Sequence, residues 1–72
     1  MATNYAYNYA EIDLSTNMCV GVTTMTVPTN RPEIFVEIPV YDEEYCFKYY
    51  NWDDGKFYYD AAYTNEYISP LL

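Results

Sequence analysis

The 72-residue sequence contains no histidine, the residue that most often serves as a general base and as a nitrogen ligand for metals. Nucleophilic catalysis by serine or cysteine usually needs such a base, so we predict that the chain is not an enzyme. The two cysteines, Cys19 and Cys46, are too few to form a structural zinc site by themselves. We therefore expect no catalytic residue, no metal site and no cofactor.

Basic residues are also scarce, because lysine and arginine together number three and the net charge is −8. A surface this acidic repels nucleic acid phosphates and anionic membranes. We therefore expect no direct contact with nucleic acid or membrane, and a partner with a basic surface. Solubility alone is the simpler interpretation of the same charge.

Long apolar runs are absent, and none approaches the roughly 20 residues that a membrane-spanning helix needs. The first residues, MATNYAYNYAEID, lack the basic start and the apolar core of a signal peptide. We therefore expect a protein that is intracellular or assembled from the cytosol, in which Cys19 and Cys46 are free thiols.

The chain is predicted to be one small β domain over residues 1–72, with a flexible start at 1–5 and a C-terminal tail at 64–72. A domain of this size buries only about 60% of its unfolded surface, so its core is marginal. Small folds usually need a disulfide, a metal or a partner subunit. This leads to the hypothesis that the chain forms a homo-oligomer.

Tyrosine is abundant, with 11 residues in the chain. Its ring is apolar and its hydroxyl is polar, so tyrosine suits half-buried positions in a sheet or an interface. One interpretation is an outer sheet face rich in tyrosine. The other is a contact surface, because tyrosine is enriched where proteins touch.

Alternation of residue types predicts a first hairpin, with strands over Ala6–Asp13 and Met18–Met25 and a polar turn between them. Strict alternation in the second strand would put Val20 on the same face as Met18, Val22 and Thr24, and Cys19 on the other. Gly21 in mid-strand indicates a bulge or the close approach of an aromatic ring.

After a connector at Thr26–Pro32, the sequence predicts a strand over Ile34–Val40. Pro39 cannot donate a backbone hydrogen bond, so this strand should lie at a sheet edge or end there. The residues of its predicted core face are Ile34, Val36, Ile38 and Val40.

An acidic corner, Tyr41–Phe47, is predicted to form one helical or 3-10 turn. Asp42 is its expected N-cap, and Glu43 and Glu44 suit its first turn.

A second hairpin is predicted from Lys48–Asn51 and Lys56–Ala62 around the turn Trp52–Gly55, because Asp-Gly between aromatic strands is a strong hairpin signal. Gly55 would take the positive φ of that turn. The expected fold is mostly β: a small antiparallel sheet of two hairpins plus a linking strand, with at most one short helical turn.

Paired carboxylates can hydrolyse glycosides or bind calcium, but both roles are disfavoured. A chain of this length hardly encloses a sugar cleft, and the spaced ligands and glycine of a calcium-binding EF-hand loop are missing. The carboxylates considered for these roles were Glu37, Asp42, Glu43, Glu44, Asp53 and Asp54.

The order of segments YAEID, MCVGVTTM, FVEIPVYDEEY and KYYNWDDGKFYY resembles short phage-encoded β-domains. These occur as small tail-module proteins, or as tail-fibre-like ends, in phages of Gram-positive bacteria. The resemblance covers about residues 9–60. The chain departs from the pattern where Cys46 and Phe47 replace a glycine expected before Lys48, and at both ends, which allows a stand-alone, repurposed protein.

The resemblance implies a phage protein, and the charge suggests how it acts. We expect a non-catalytic, acidic protein-binding module that inhibits a host antiviral defence protein in the host cytoplasm, by occupying a basic nucleic-acid-binding surface. The alternative is a structural or assembly component of the phage tail or fibre, located in the virion. The predicted partner-binding residues are Asp42, Glu43, Glu44, Tyr45, Tyr50, Trp52, Asp53, Asp54, Tyr58 and Asp60.

Overall fold

Residues 6–72, the part described by the computed structural model, form one antiparallel sheet of six strands in the order β3-β1-β2-β4-β5-β6. This confirms the predicted mostly β fold, and the expectation for residues 1–5 lies outside the described range. The only helical segment in that range is a 3-10 helix at Glu43–Tyr45, far too short to cross a membrane. The strands are β1 Tyr7–Asp13, β2 Met18–Met25, β3 Phe35–Glu37, β4 Tyr49–Asn51, β5 Lys56–Tyr58 and β6 Glu66–Tyr67.

The first hairpin has the predicted strands, but a bulge changes which residues of β2 face the core. Glu11 pairs with Gly21 and Ile12 pairs with Cys19, so Val20 is the extra residue. Cys19 is fully buried, whereas the Val20 side chain is 50% exposed. The strict alternation predicted for this strand is therefore wrong at Val20, although a bulge beside Gly21 was expected.

Strand β3 is shorter than predicted and lies at the edge of the sheet, as Pro39 indicated. Ile38 is buried and Val36 packs against the core, as expected. Ile34 and Val40 are only half-buried, so their assignment to the core is corrected. The physical reason is that the ladder with β1 covers only Phe35–Glu37, so Ile34 and Val40 lie outside the strand, beyond its two ends.

Aromatic rings from the second half of the chain complete the core. The ring of Tyr45 in the 3-10 helix contacts Phe57 and Tyr67 edge to face, with centroids 4.8 and 5.2 Å apart. Tyr50 packs on Phe57 with centroids 4.9 Å apart. The buried cluster comprises Ala10, Ile12, Cys19, Ile38, Tyr45, Tyr50, Phe57 and Tyr67.

The segment predicted to be a tail belongs to the sheet. Its strand β6 pairs with β5, and Tyr67 and Ser69 are buried. The apolar residues Ile68, Leu71 and Leu72 in this segment are exposed. The second strand of the hairpin is correspondingly shorter than predicted, because the chain leaves β5 after Tyr58 and turns back to form β6.

The predicted turns are present. The Asp42 carboxylate accepts a hydrogen bond from the Glu44 amide at 2.9 Å and caps the 3-10 helix. Gly55 adopts φ +73° in the second hairpin, as expected. Phe47, between the helix and β4, has φ +70°, a left-handed conformation that is unfavourable for a residue with a Cβ atom.

Candidate functional site

The turn between β4 and β5 holds the only tryptophan of the sequence in a fixed position. Trp52 Nε1 donates a hydrogen bond to Asn17 Oδ1 at 3.1 Å. The ring of Trp52 meets that of Tyr50 edge to face, with centroids 4.8 Å apart. The Trp52 side chain nevertheless remains 43% exposed. A rigid, accessible aromatic ring of this kind is typical of the anchors in protein interfaces.

The carboxylates of the same turn directly follow Trp52 in the chain. Asp54 accepts hydrogen bonds from the Lys56 amide at 2.8 Å and from the Tyr58 hydroxyl at 2.5 Å. The bond from its hydroxyl to Asp54 raises the pKa of Tyr58 to about 12. The backbone of Asp53 is held by Asn51 Oδ1 at 2.9 Å, and the Asp53 side chain is exposed. The turn therefore presents one free carboxylate and one that is already oriented.

An open groove of about 180 Å³ begins at this turn, where Gly55 and Lys56 belong to its lining. Its base is apolar and made of buried side chains, and two exposed carboxylates, those of Glu37 and Glu66, line it as well. Apolar walls with carboxylates can receive the aliphatic stem and the charged head of a lysine or arginine side chain. The buried residues of the base are Ile38, Tyr45, Phe57, Tyr67 and Ser69.

Three of the predicted partner-binding residues lie in the interior. Asp42 is 4% exposed, and its carboxylate is used by the Glu44 amide and the Tyr67 hydroxyl. Tyr45 and Tyr50 are core residues. Asp42 and Tyr50 are buried outside the groove and stabilise the fold beneath the surface, so their predicted role as contacts is corrected, whereas Tyr45 is buried in the base of the groove.

The remaining acidic residues of the 3-10 helix are exposed but separate from the turn. Glu43 and Glu44 precede β4, whereas Asp53 and Asp54 follow it. Next to the helix, Lys48 Nζ donates to the Glu44 carbonyl oxygen at 2.7 Å, and the same ammonium lies over the Tyr67 ring at 4.8 Å. The predicted cluster therefore divides into two acidic groups on either side of β4, and each is next in sequence to a residue that lines the groove, Tyr45 or Gly55.

Asp60 organises the loop between β5 and β6. Its carboxylate accepts hydrogen bonds from the Thr64 hydroxyl at 2.5 Å and from the Asn65 amide at 2.9 Å. These bonds lower the pKa of Asp60 below its ordinary value. Asp60 therefore has a structural role in addition to the partner contact predicted for it.

Sequence reasoning missed the contribution of Glu37 and Glu66 to the groove. Glu66 lies in a strand of two residues, which is too short to produce an alternation signal. Glu37 lies on β3, at the far edge of the sheet in strand order. Only the folding of the chain over one face of the sheet brings these residues into one groove.

The described residues contain no group of three acidic or thiol side chains placed to hold a metal ion. Cys19 and Cys46 are both free thiols. Burial raises the pKa of the Cys19 thiol to about 11, so Cys19 behaves as a small apolar core residue.

No protein-family model, no curated protein and no solved structure matches the chain. The resemblance to phage β-domains therefore stays a prediction from the sequence, and the function is argued from the surface itself.

Proposed function

We propose that this protein is a non-catalytic protein-binding module that presents a rigid acidic surface to a basic partner. The observation that carries the proposal is the groove itself, lined by the exposed carboxylates of Glu37 and Glu66 and reaching Gly55 of the turn that holds the fixed Trp52 ring and the carboxylates of Asp53 and Asp54. The aromatic ring would supply contact area, and the carboxylates would select the charge of the partner.

A basic side chain of the partner would enter the groove. The apolar base would pack against its methylene groups, and Glu37 or Glu66 would accept hydrogen bonds from its ammonium or guanidinium head. Lysine and arginine are also the side chains with which proteins bind nucleic acid phosphates. Carboxylates on a rigid sheet would therefore compete with a phosphate backbone for such a surface.

The biological setting is proposed from the resemblance to phage β-domains. The protein would be made in the host cytoplasm, where it would bind a host antiviral defence protein and block its nucleic-acid-binding surface. The net charge of −8 supports this setting, because it speeds encounter with a basic target and repels nucleic acid.

Charge reversal with a matched control tests the binding surface. We expect Glu37→Lys/Glu66→Lys to lose a partner captured from host lysate at low salt, because both carboxylates line the groove. The control, Glu11→Lys/Glu33→Lys, changes the net charge equally at exposed positions that do not line the groove. Equal loss in both variants would show a general charge effect and would contradict the proposed site.

Trp52→Ala tests the anchor in the same assay. Truncating an interface anchor typically costs about 2 kcal/mol or more, so we expect capture to fall at least tenfold. Leu14→Ala, at an exposed apolar position outside the groove, is the control. Unchanged capture by the tryptophan variant would remove this ring from the site.

A structural or assembly role in a phage tail or fibre is the second proposal. It is favoured by the tail-module proteins that the sequence resembles. Such a component would be present in purified virions in fixed proportion to a fibre or baseplate protein. An inhibitor would instead be produced early in infection and would be missing from virions.

A further inference from the structure

We propose that the outer edge of β2, over Val22–Met25, pairs antiparallel with the same edge of a second copy of this chain. The inference is independent of the acidic surface, because it rests on backbone groups of β2 for which the sheet of residues 6–72 provides no partner.

Hydrogen bonding in β1 shows which groups of β2 point outward. The Ile12 amide donates to the Ile34 carbonyl, and Asn8 accepts from the Ile38 amide, so the even-numbered residues of β1 bond toward β3. Its odd-numbered residues bond toward β2, where their partners are Gly21, Thr23 and Met25. The amides and carbonyls of the two residues between those partners, Val22 and Thr24, therefore point away from β1.

Strand β4 covers only the beginning of this outer edge. Met18 is the one residue of β2 that pairs with β4 in the ladder, and Cys19 exchanges bonds with Lys48 and Phe47 just before β4 begins. At Phe47 the chain adopts its left-handed φ, and the 3-10 helix Glu43–Tyr45 ends two residues before it. The helix lies beside β2 but forms no ladder with it, so among residues 6–72 the edge beyond Val20 has no strand partner.

This edge lacks the features by which proteins usually prevent strand addition. Val20–Met25 contains no lysine, no proline and no inward-pointing charge, and the strand is eight residues long in all. An open edge of this composition is a template for β-sheet augmentation.

The distribution of charge indicates that the occupant is a second copy. The chain carries a net charge of −8, yet no charged residue occurs from Leu14 to Asn30. Two copies that met through most other surfaces would bring carboxylates together at a cost in free energy. The β2 edge lies within this uncharged stretch, so two such chains meet less repulsion there than at surfaces rich in carboxylates.

A two-fold axis at Thr23 gives a self-complementary register. Val22 of one copy then lies opposite Thr24 of the other, and the two residues exchange backbone hydrogen bonds. The same pair is repeated on the other side of the axis, as an isologous interface requires.

The first test is Thr24→Pro, measured by light scattering over a range of concentrations. Proline removes the outward amide but no backbone bond to β1, and the bond from the Thr24 hydroxyl to Asn8 is lost equally in Thr24→Val. The domain should therefore fold and the mass should fall twofold to the 8.5 kDa of one chain. Thr24→Val keeps the amide and should remain dimeric. A monomeric wild type at all concentrations, or a proline variant with unchanged mass, would overturn the proposal.

Amide hydrogen exchange of the wild type is the second test and needs no variant. The Val22 and Thr24 amides should become more protected as the protein concentration rises, whereas Thr23 and Met25 should be protected at every concentration. Rapid exchange at Val22 and Thr24 in a sample of dimeric mass would place the interface elsewhere and refute the β2 pairing.

Discussion

The buried hydroxyl of Tyr67 donates a hydrogen bond to the buried carboxylate of Asp42. Asp42 caps the 3-10 helix, and Tyr67 lies in the last strand, so this bond joins two segments that are distant in sequence. Burial by itself would raise the pKa of Asp42, but hydrogen bonds from Tyr67, from Ser69 and from the Glu44 amide together lower it. The same burial and the Asp42 charge raise the pKa of Tyr67.

Removing this carboxylate should strongly destabilise the fold. We expect Asp42→Ala to lower the free energy of unfolding by about 2–4 kcal/mol, because it removes a cap and leaves the Tyr67 hydroxyl without its partner. Denaturant unfolding measures the change, and Glu43→Ala, at an exposed position in the same turn, should change stability by less than about 0.5 kcal/mol. Similar losses in both variants would contradict a specific role for Asp42.

Stability should also depend on pH through Asp42. Its pKa is lower in the folded state than in the unfolded state, so the ionised form favours folding. This contribution is complete above the unfolded pKa of about 4 and is lost as the pH falls through the folded value. Unfolding curves recorded from pH 6 to about pH 2 should therefore show a smaller decline for Asp42→Asn than for the wild type. Parallel declines would show that other carboxylates control acid unfolding.

The ionisation of Tyr58 should depend on Asp54. The hydrogen bond to that carboxylate raises the pKa of Tyr58 to about 12, and Asp54→Asn should lower it toward the ordinary tyrosine value. Because the folded pKa is the higher one, this bond supports folding below about pH 10 and ceases to do so as the pH rises through about 12. NMR titration of the tyrosine ring carbons measures the shift, and Tyr58→Phe assigns the signal. An unchanged titration in the asparagine variant would mean that the bond does not form in solution.

Replacing Phe47 should stabilise the domain. Its φ of +70° is unfavourable for any residue with a Cβ atom, and its side chain is 73% exposed, so little packing would be lost. We expect Phe47→Gly to raise the free energy of unfolding by about 1 kcal/mol relative to Phe47→Ala, which keeps the Cβ atom. Thermal unfolding of the two variants is the measurement. Equal or lower stability of the glycine variant would show that the left-handed conformation is not a source of strain.

The Phe47 ring is exposed although its backbone is in the left-handed region. It belongs neither to the buried cluster nor to the hydrophobic residues packed against that cluster. We therefore expect Phe47→Gly to separate stability from binding, since capture of a partner that contacts the phenylalanine ring would weaken while the domain becomes more stable.

Local chemistry determined much of the fold. Alternating residues located the first hairpin, Asp-Gly located the second with Gly55 at positive φ, Asp42 located the 3-10 helix, and Pro39 indicated an edge strand. Each of these signals acts over a few residues and depends on backbone preferences that hold in most contexts.

Tertiary structure decided the rest, because burial and pairing depend on residues that are distant in the chain. The bulge at Val20 placed this side chain on the exposed face of β2 and Cys19 in the core. Pairing with β5 made a strand, β6, of residues predicted to belong to a C-terminal tail. Folding buried Asp42, Tyr45 and Tyr50 and assembled a groove that includes Glu37 and Glu66. Composition therefore determined that this protein is acidic and rich in tyrosine, and local pattern determined that it is built of strands. Long-range packing decided which of those acidic and aromatic side chains remain available to a partner.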